Sequence, residues 1–484
     1  MKNHYLWAAV ERIAPQLVSF GVSIVIARLI GPEAYGLIGM LTIFMALGQA
    51  FSELGLSAAI IQRKTITDND LMSVFVANLI AGMVISLLCC SISPLVAKFY
   101  GQDILMPLLC AQSLTFAISS IGAVQAALIS REMLFRLSAK VEVASCVLSG
   151  GVGLAMAFWG LGVWSLVVLN ISRVFVRVGL LWFFGLWRLS GRPSLSAFST
   201  MWGYSSRVLC ASLFNNLVTN AYSIIVGKLY PPAALGLYTR AVSIGQIPVS
   251  LTGGIVQRVT FPLFSRYQGE KEYLIQLLRK QVRLILAVIS PILTILIITS
   301  EELIPLLLGD EWAGAIPLLK ISCLGGVLYS VIPLHIVLIK ALGNSQLLLR
   351  IAVVRDSYLL IAVLVSSFFG LQALAWAVVS ASFFSYILCS WPSKKSIDYR
   401  LKNHLEDVLP TVILCAFSAI ILSAVEWNAG LSPVSIMLIK ALVIVLGFAS
   451  GAYVFREKYF HELWELTAWG MSTFVARIRW WRSC

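Results

Sequence analysis

The chain has 484 residues, of which 59% are hydrophobic and 12% are charged, and its formal net charge is +14 at pH 7. Soluble proteins carry about 25% charged residues, so this composition excludes a soluble globular protein and indicates a polytopic membrane protein. The excess of positive charge does not indicate nucleic-acid binding, because the basic residues lie in short links between apolar runs and not on one soluble face.

Apolar runs follow one another along the whole chain, and each is near the roughly 20 residues that an α-helix needs to cross a bilayer. Short links, such as 31–35 and 159–162, leave little room for a soluble domain. The sequence therefore predicts an all-α membrane protein with about 14 transmembrane helices. The predicted spans are 8–30, 36–60, 72–97, 104–128, 141–159, 163–184, 204–229, 235–257, 281–299, 316–339, 348–369, 372–391, 408–425 and 433–455.

Basic residues are concentrated in alternate links. The links after even-numbered spans, together with both termini, hold most of the 36 Lys and Arg residues. The link near 300–315 is acidic instead and contains Glu301, Glu302, Asp310 and Glu311. Cytoplasmic links are enriched in Lys and Arg, so both termini are predicted to be cytoplasmic.

An internal repeat relates two halves of the chain. Arg28–Leu37 reads RLIGPEAYGL, and Lys228–Leu237 reads KLYPPAALGL, with the cation, Leu, Pro, Ala, Gly and Leu at matching positions. Further matches follow in the same order and place six spans in each copy. An even number of spans gives parallel repeats, so the sequence predicts two six-helix bundles, at 1–198 and 199–400, with a helix pair and tail at 401–484. Residues 270–283 are predicted to form an amphipathic interfacial helix between the bundles.

Motifs of enzymes and metal sites are absent from the sequence. The nine cysteines lack metal-ligand spacing and are predicted to be small buried apolar residues. The stretch from His461 to Glu465 lacks the second histidine of a zinc-protease helix, and the sequence has no Walker-type loop. We therefore predict a protein that is not an enzyme and that holds no metal or organic cofactor.

Several cations lie within the predicted spans or at their ends. A cation inside a span costs about 2.5–3.5 kcal/mol on insertion scales, so it should face a cavity. The alternative is that the side chain extends to the headgroups, which suffices for Lys98, Arg173, Arg177 and Arg355. The predicted cavity-lining, substrate-binding cations are Arg12, Arg28, Arg207, Lys228, Arg240 and Lys320.

Glu53 is the intramembrane acid that sequence neighbours explain least. It lies in the second predicted span, four residues after Gln49. One interpretation makes it a proton or sodium coupling site, and the other makes it half of a salt bridge between helices. Polar and kinking residues, namely Gln49, Gln246 and Pro248, place the second and eighth spans toward a wet interior.

At these motifs the chain resembles the bacterial Wzx-type polysaccharide-repeat flippases of the multidrug/oligosaccharidyl-lipid/polysaccharide (MOP) exporter superfamily, and is most similar to the colanic-acid-like branch. In the stretch before Lys228, relatives commonly carry an Asp where this chain has Tyr222. If that Asp serves coupling or contacts the sugar in the relatives, other residues must do so in this chain. The stretches that carry the resemblance are Ala27–Leu37, Phe51–Lys64, Ala127–Arg136, Gly236–Arg240, Arg258–Arg266 and Leu306–Leu319.

The resemblance implies a MATE-like pair of bundles around a central cationic cavity. It also implies translocation of an undecaprenyl-diphosphate-linked sugar repeat across the bacterial inner membrane, for O-antigen, capsule or exopolysaccharide synthesis. Membrane lipids, this glycan, and the polymerase and chain-length proteins of the pathway are the expected partners. Two alternatives stay open: an ion-coupled multidrug or small-molecule antiporter of the same superfamily, and a membrane polymerase or acyltransferase of the same pathway.

Overall fold

The structure is a computed structural model that describes residues 2–255, 260–423 and 432–454. Regular secondary structure in these ranges is helical throughout, with a short 3-10 turn at Asp310–Trp312. The first eight helices are α1 (Lys2–Glu53), α2 (Leu56–Gln62), α3 (Asp68–Tyr100), α4 (Leu105–Arg131), α5 (Phe135–Phe158), α6 (Trp164–Phe183), α7 (Leu195–Leu229) and α8 (Pro232–Ile255). The others are α9 (Phe261–Arg266), α10 (Lys271–Ile298), α11 (Ser300–Leu308), α12 (Ala315–Tyr329), α13 (Ile332–Ala341), α14 (Ser345–Ser366), α15 (Leu371–Ile397), α16 (Leu401–Ser423) and α17 (Pro433–Val454).

The helices have the length and surface of a multi-pass membrane protein. Ten helical segments of the described chain are long and apolar enough to cross a bilayer. Large apolar side chains stand exposed on them, including Leu87, Phe158 and Phe175, each about two-thirds exposed. Such exposed apolar surface is expected where lipid, and not water, surrounds the helices. The count of 14 spans stays a prediction.

Helix α1 contains two of the predicted spans. Gly31 has φ 73° and ψ 175°, which breaks the helix just before Pro32. The Tyr35 hydroxyl donates to the Ser23 carbonyl at 2.9 Å. In a straight helix those residues would be about 18 Å apart, so the chain turns back at Gly31. The turn predicted between spans 8–30 and 36–60 therefore exists.

By packing, the chain divides into two compact units, residues 1–237 and 238–484. In the first unit α1 packs against α5 and α7, and α4 packs against α3 and α6. In the second unit α10 packs against α12 and α16, and α15 packs against α12 and α14. The boundaries predicted at 198 and 400 follow the sequence repeat and not packing, and they stay predictions.

Two expectations need correction. The predicted interfacial helix at 270–283 is not separate, because α10 runs without a break from Lys271 to Ile298 and joins it to the following span. The structure also pairs Cys90 of α3 with Cys110 of α4 as a disulfide, with the two Cα atoms 4.4 Å apart. This pairing differs from the prediction that the cysteines are small buried apolar residues. Residues 256–259, at the end of the predicted span 235–257, and the tail from 455 lie outside the described residues.

Candidate functional site

The two matching Gly-Pro stretches meet in the first unit. A Cβ atom placed on Gly36 would lie 1.7 Å from the Pro232 carbonyl oxygen. Reciprocally, a Cβ on Gly236 would lie 1.9 Å from the Pro32 carbonyl oxygen. Both contacts are with backbone, so only glycine allows this approach. We call the meeting of residues 32–36 and 232–236 the Gly-Pro crossing.

Two of the predicted cations flank the Gly-Pro crossing. Arg28 lies four residues before Pro32, and Lys228 lies four residues before Pro232, and both side chains are exposed. The Lys228 ammonium donates to the Phe99 carbonyl and lies 4.8 Å from the centre of the Phe99 ring. A carbonyl and a ring face orient an ammonium without neutralising it. Arg28 and Lys228 therefore occupy the same place relative to the two prolines along the chain, and their role in substrate binding stays a prediction.

The other predicted cations have varied surroundings. Arg207 is exposed on α7, and its Nε donates to the Gly203 carbonyl at 2.8 Å. Arg240 is buried on α8, in the second unit. Lys320 donates to the Glu301 carboxylate at 2.6 Å, and this hydrogen bond holds the pKa of Glu301 below its usual value. Arg12 belongs to α1, but its side chain lies outside the described part of the chain.

Glu53 lies at a helix break beside a cavity. Helix α1 ends at Glu53, and Leu54 and Gly55 follow with positive φ angles of 49° and 68°. The span predicted at 36–60 is therefore not one continuous helix. Backbone that is not helical is tolerated at membrane depth only where protein or a wet cavity satisfies it, so this break must be packed against protein or border a cavity.

A cavity of about 490 Å³ in the first unit is lined by α1, α2, α4 and α6. Glu53 is exposed to it and accepts a hydrogen bond of 2.6 Å from Gln49, one turn earlier. Arg177 lines the cavity from α6 and forms an ion pair of 2.6 Å with Glu142 of α5. The predicted reach of Arg177 to the headgroups does not account for this ion pair with Glu142. The signal that could have found this pair is the similar depth of the two residues in adjacent predicted spans.

A network of ions joins α16 to α10 in the second unit. The Asp407 side chain is fully buried and lies 3.0 Å from Arg279 and 2.7 Å from Arg283. The Tyr399 hydroxyl also donates to it, at 2.9 Å. A separate ion pair in this unit joins Lys440 of α17 to Glu302 of α11. This network is not apparent from the sequence, because the cations of α10 are explained there equally well as determinants of topology.

His404 lies one turn before Asp407, ahead of the predicted span 408–425. Tyr386 is within hydrogen-bond distance of its Nδ1 atom, at 2.7 Å, and the Tyr399 ring lies 4.0 Å away, centre to centre. Burial lowers the pKa of His404 to about 4. The imidazole is therefore neutral at pH 7, and through Tyr399 it adjoins the buried network around Asp407.

The fold is similar to those of two solved membrane proteins. A solved structure of the lipid II flippase MurJ, in an inward closed conformation, matches 94% of this chain and 99% of its own, with a TM-score of 0.73 and 14% identity. An inward-facing MATE-family multidrug resistance transporter of the MOP superfamily matches 81% of this chain and 98% of its own, with a TM-score of 0.60 and 14% identity. Identities this low define the fold alone.

The sequence family is more specific. The family model described as polysaccharide biosynthesis protein matches residues 25–317, and the chain belongs to this family. The teichuronic acid biosynthesis protein TuaB of Bacillus subtilis is 25% identical over 84% of this chain and 83% of its own. The lipopolysaccharide biosynthesis protein WzxC of Escherichia coli is 26% identical over 67% of this chain and 66% of its own. The resemblance stated from the motifs is confirmed.

Proposed function

We propose that this protein flips undecaprenyl-diphosphate-linked oligosaccharide repeat units across the inner membrane by alternating access, without catalysing a covalent step. The observation that carries the proposal is the pair of exposed cations, Arg28 and Lys228, at equivalent positions beside the Gly-Pro crossing. The family and the MurJ-like fold support it. In this proposal two parallel six-helix bundles enclose a central cationic cavity and both termini are cytoplasmic. The polymerase and chain-length proteins of the pathway receive the translocated glycan.

The chemistry of the substrate explains the need for cations. A lipid diphosphate combines an anionic head with a long apolar tail, and only the head must be protected from the hydrocarbon core. Cations can replace the water around the phosphates, because charge-assisted hydrogen bonds to phosphate are about twice as strong as neutral ones. In this proposal Arg28, Lys228 and Arg240 are the principal phosphate contacts, and Arg12, Arg207 and Lys320 are the secondary ones.

The test is charge removal in a strain that depends on this protein for its surface glycan. Arg28→Ala, Lys228→Ala and Arg240→Ala should each lower surface glycan while the protein reaches the membrane at normal amounts. Lys98→Ala is the matched control, because Lys98 is an exposed cation next to Phe99 that we assign to the headgroups. Transport at the level of the parent protein by all three variants would remove the cation site from the proposal.

The likeness to a MATE-family transporter favours a second candidate, an ion-coupled antiporter for multidrug or other small molecules. The two candidates differ in what a deletion strain accumulates. A flippase leaves lipid-linked glycans in the cytoplasmic leaflet, whereas an antiporter leaves the cells more sensitive to cationic drugs and their lipid-linked glycans unchanged.

We further propose Glu53 as the proton or sodium coupling group, because it is exposed to a cavity beside a helix break. Glu53→Gln should fold normally, transport poorly and lose its dependence on the ion gradient. Ser57→Ala, a change in the same cavity that removes no charge, is the control. A stable and fully active Glu53→Gln protein with unchanged ion dependence would exclude this role.

A further inference from the structure

Helix α7 in the first unit carries a line of exposed side chains, each four residues after the one before. Its members are Arg207, Ala211, Asn215 and Thr219, and all four are exposed. Residues four apart are neighbours on the surface of an α-helix, so these side chains form one continuous line. At a rise of 1.5 Å per residue the line is about 18 Å long. We call this feature the α7 row.

The α7 row does not suit a surface that faces lipid. An amide or a guanidinium loses its hydrogen bonds to water in hydrocarbon, so such groups within a span face the interior of a bundle or a water-filled cavity. Arg207, Asn215 and Thr219 all lie within the predicted span 204–229. The row therefore borders water and not lipid.

Two neighbouring amides of α7 have different surroundings. Asn216 donates to the Ala46 carbonyl of α1 at 3.3 Å, and its own carbonyl accepts from Asn220 at 2.9 Å, so Asn216 serves the packing of the unit. Asn215 is exposed instead, and its side chain has no hydrogen-bond partner among the described residues. The donor and the acceptor of the Asn215 amide are therefore both available to a ligand.

The ends of the α7 row also keep hydrogen-bonding capacity. The Thr219 hydroxyl donates to the Asn215 carbonyl at 2.7 Å and accepts from Asn220 at 3.3 Å. A hydroxyl has two acceptor lone pairs, so one of them stays open. At the other end, the Nε atom of Arg207 donates to the Gly203 carbonyl at 2.8 Å. No carboxylate among the described residues forms an ion pair with Arg207, which leaves its charge uncompensated.

The order of groups along the α7 row indicates the class of ligand. A guanidinium matches the oxygens of a phosphate, and an open amide and an open hydroxyl match sugar hydroxyls, which both donate and accept hydrogen bonds. Ala211, between Arg207 and Asn215, leaves room for a bulky group. Helix α7 contains no Asp or Glu, so it offers no ion-pair partner to a cationic drug. The ligand that fits best is a sugar attached to a phosphate.

We propose that the α7 row binds the sugar part of the transported lipid. Asn215 and Thr219 hydrogen-bond the sugar hydroxyls, Ala211 provides the space for the rings, and Arg207 contacts the phosphate next to the first sugar. This assignment rests on the proposed function, and it adds the residues that distinguish a lipid carrying a glycan from the same lipid without one.

The experiment measures how tightly the purified full-length protein binds two lipids in detergent. One is the lipid-linked glycan extracted from a strain that lacks this protein, and the other is undecaprenyl diphosphate without sugar. Wild type should bind the glycan lipid more tightly. Asn215→Leu and Thr219→Val should each weaken binding of the glycan lipid about fivefold, as expected for one lost hydrogen bond, and should leave binding of undecaprenyl diphosphate unchanged.

Three more variants separate sugar contact from other effects. Arg207→Ala should weaken binding of both lipids by the same factor, because both carry the phosphate. Ala211→Trp should fill the row and abolish the preference for the glycan lipid without weakening the other. Leu217→Ala is the matched control and should bind both lipids like wild type, because Leu217 is exposed and lies two residues from Asn215, on the opposite side of α7.

The outcomes distinguish failure of the sugar contact from failure of the proposed function. Equal affinity of wild type for the two lipids would overturn the sugar contact and leave the proposed transport standing. An unchanged preference in both Ala211→Trp and the Asn215→Leu/Thr219→Val double variant, at the melting temperature of wild type, would do the same. If wild type binds neither lipid, the proposed function fails and the sugar contact fails with it.

Discussion

The Gly-Pro crossing makes a prediction that depends on one added carbon atom. In Gly36→Ala the new Cβ would stand 1.7 Å from the Pro232 carbonyl oxygen, whereas real Cβ contacts essentially never fall below 3.0 Å. The two backbone segments must therefore separate by about 1.3 Å. The obstacle is backbone on both sides, so no side-chain rotation can relieve it.

The expected cost exceeds the gain from helix propensity. Overpacking of a well-packed contact costs about 1–3 kcal/mol, while replacing glycine by alanine within a helix returns about 0.5–1 kcal/mol. The net loss should be on the order of 1–2 kcal/mol. For a unit of this size that corresponds to about 2–4 °C in melting temperature for each kcal/mol. Gly236→Ala should behave alike, because its Cβ would meet Pro32 at 1.9 Å.

The assay is thermal unfolding of the purified protein in detergent, together with surface glycan in cells. Gly21→Ala is the matched control, since Gly21 lies in the same helix and a Cβ there meets no atom within 4 Å. It should melt at the wild-type temperature or above. The Gly36→Ala/Gly236→Ala double variant should lose less than the sum of the single losses, because one separation relieves both contacts. If Gly36→Ala melts like Gly21→Ala, the close crossing does not exist.

Three further predictions concern the second unit and the topology. Asp407→Asn should cost about 3–5 kcal/mol, since it leaves two arginines facing a neutral group. Asp398→Asn, in an exposed ion pair with Arg400, should leave the melting temperature close to that of wild type, and equal melting temperatures for the two variants would contradict this. Because the pKa of His404 is lowered to about 4 in the folded protein, the unfolded state binds the extra proton, so stability should fall as pH falls from about 6.5 toward 4, and His404→Phe should flatten that slope in melting curves. A cysteine at Lys395 should resist membrane-impermeant reagents in intact cells, and ready labelling from outside would reverse the predicted topology.

Periodicity and composition predicted the helices but not the positions at which a helix is interrupted. The apolar stretch 36–60 is predicted as one span because mean hydropathy is averaged over about 20 residues. The conformation of two residues within that window does not change the average. The structure breaks it at Leu54 and Gly55. A Cβ on Gly55 would lie 2.5 Å from the Ser205 carbonyl oxygen, so the break depends on a packing contact with α7, 150 residues away, that local sequence does not encode.

Contacts between distant residues were the least predictable part of the site. Arg279 and Asp407 are 128 residues apart. Each lies in a predicted cytoplasmic link, where charged residues are expected whether or not they form an ion pair. The Cys90–Cys110 pair depends on how α3 and α4 align side by side, which spacing along the chain does not specify. By contrast, the sequence repeat predicts that Gly36 and Gly236, two hundred residues apart, occupy equivalent positions. In the structure both glycines take part in the same crossing.

The partners of the predicted cations separate structural charges from charges that can act on a substrate. Lys320 and Lys440 face carboxylates, and Arg355 faces Asp356, so each of these charges is balanced locally. Lys228 and Arg207 instead donate to backbone carbonyls, which satisfy a donor without cancelling its charge. A substrate phosphate would gain more from a cation of the second kind, because no carboxylate has to be displaced and none repels the phosphate. Among the predicted cations, Lys228 and Arg207 are therefore stronger candidates for substrate contact than Lys320.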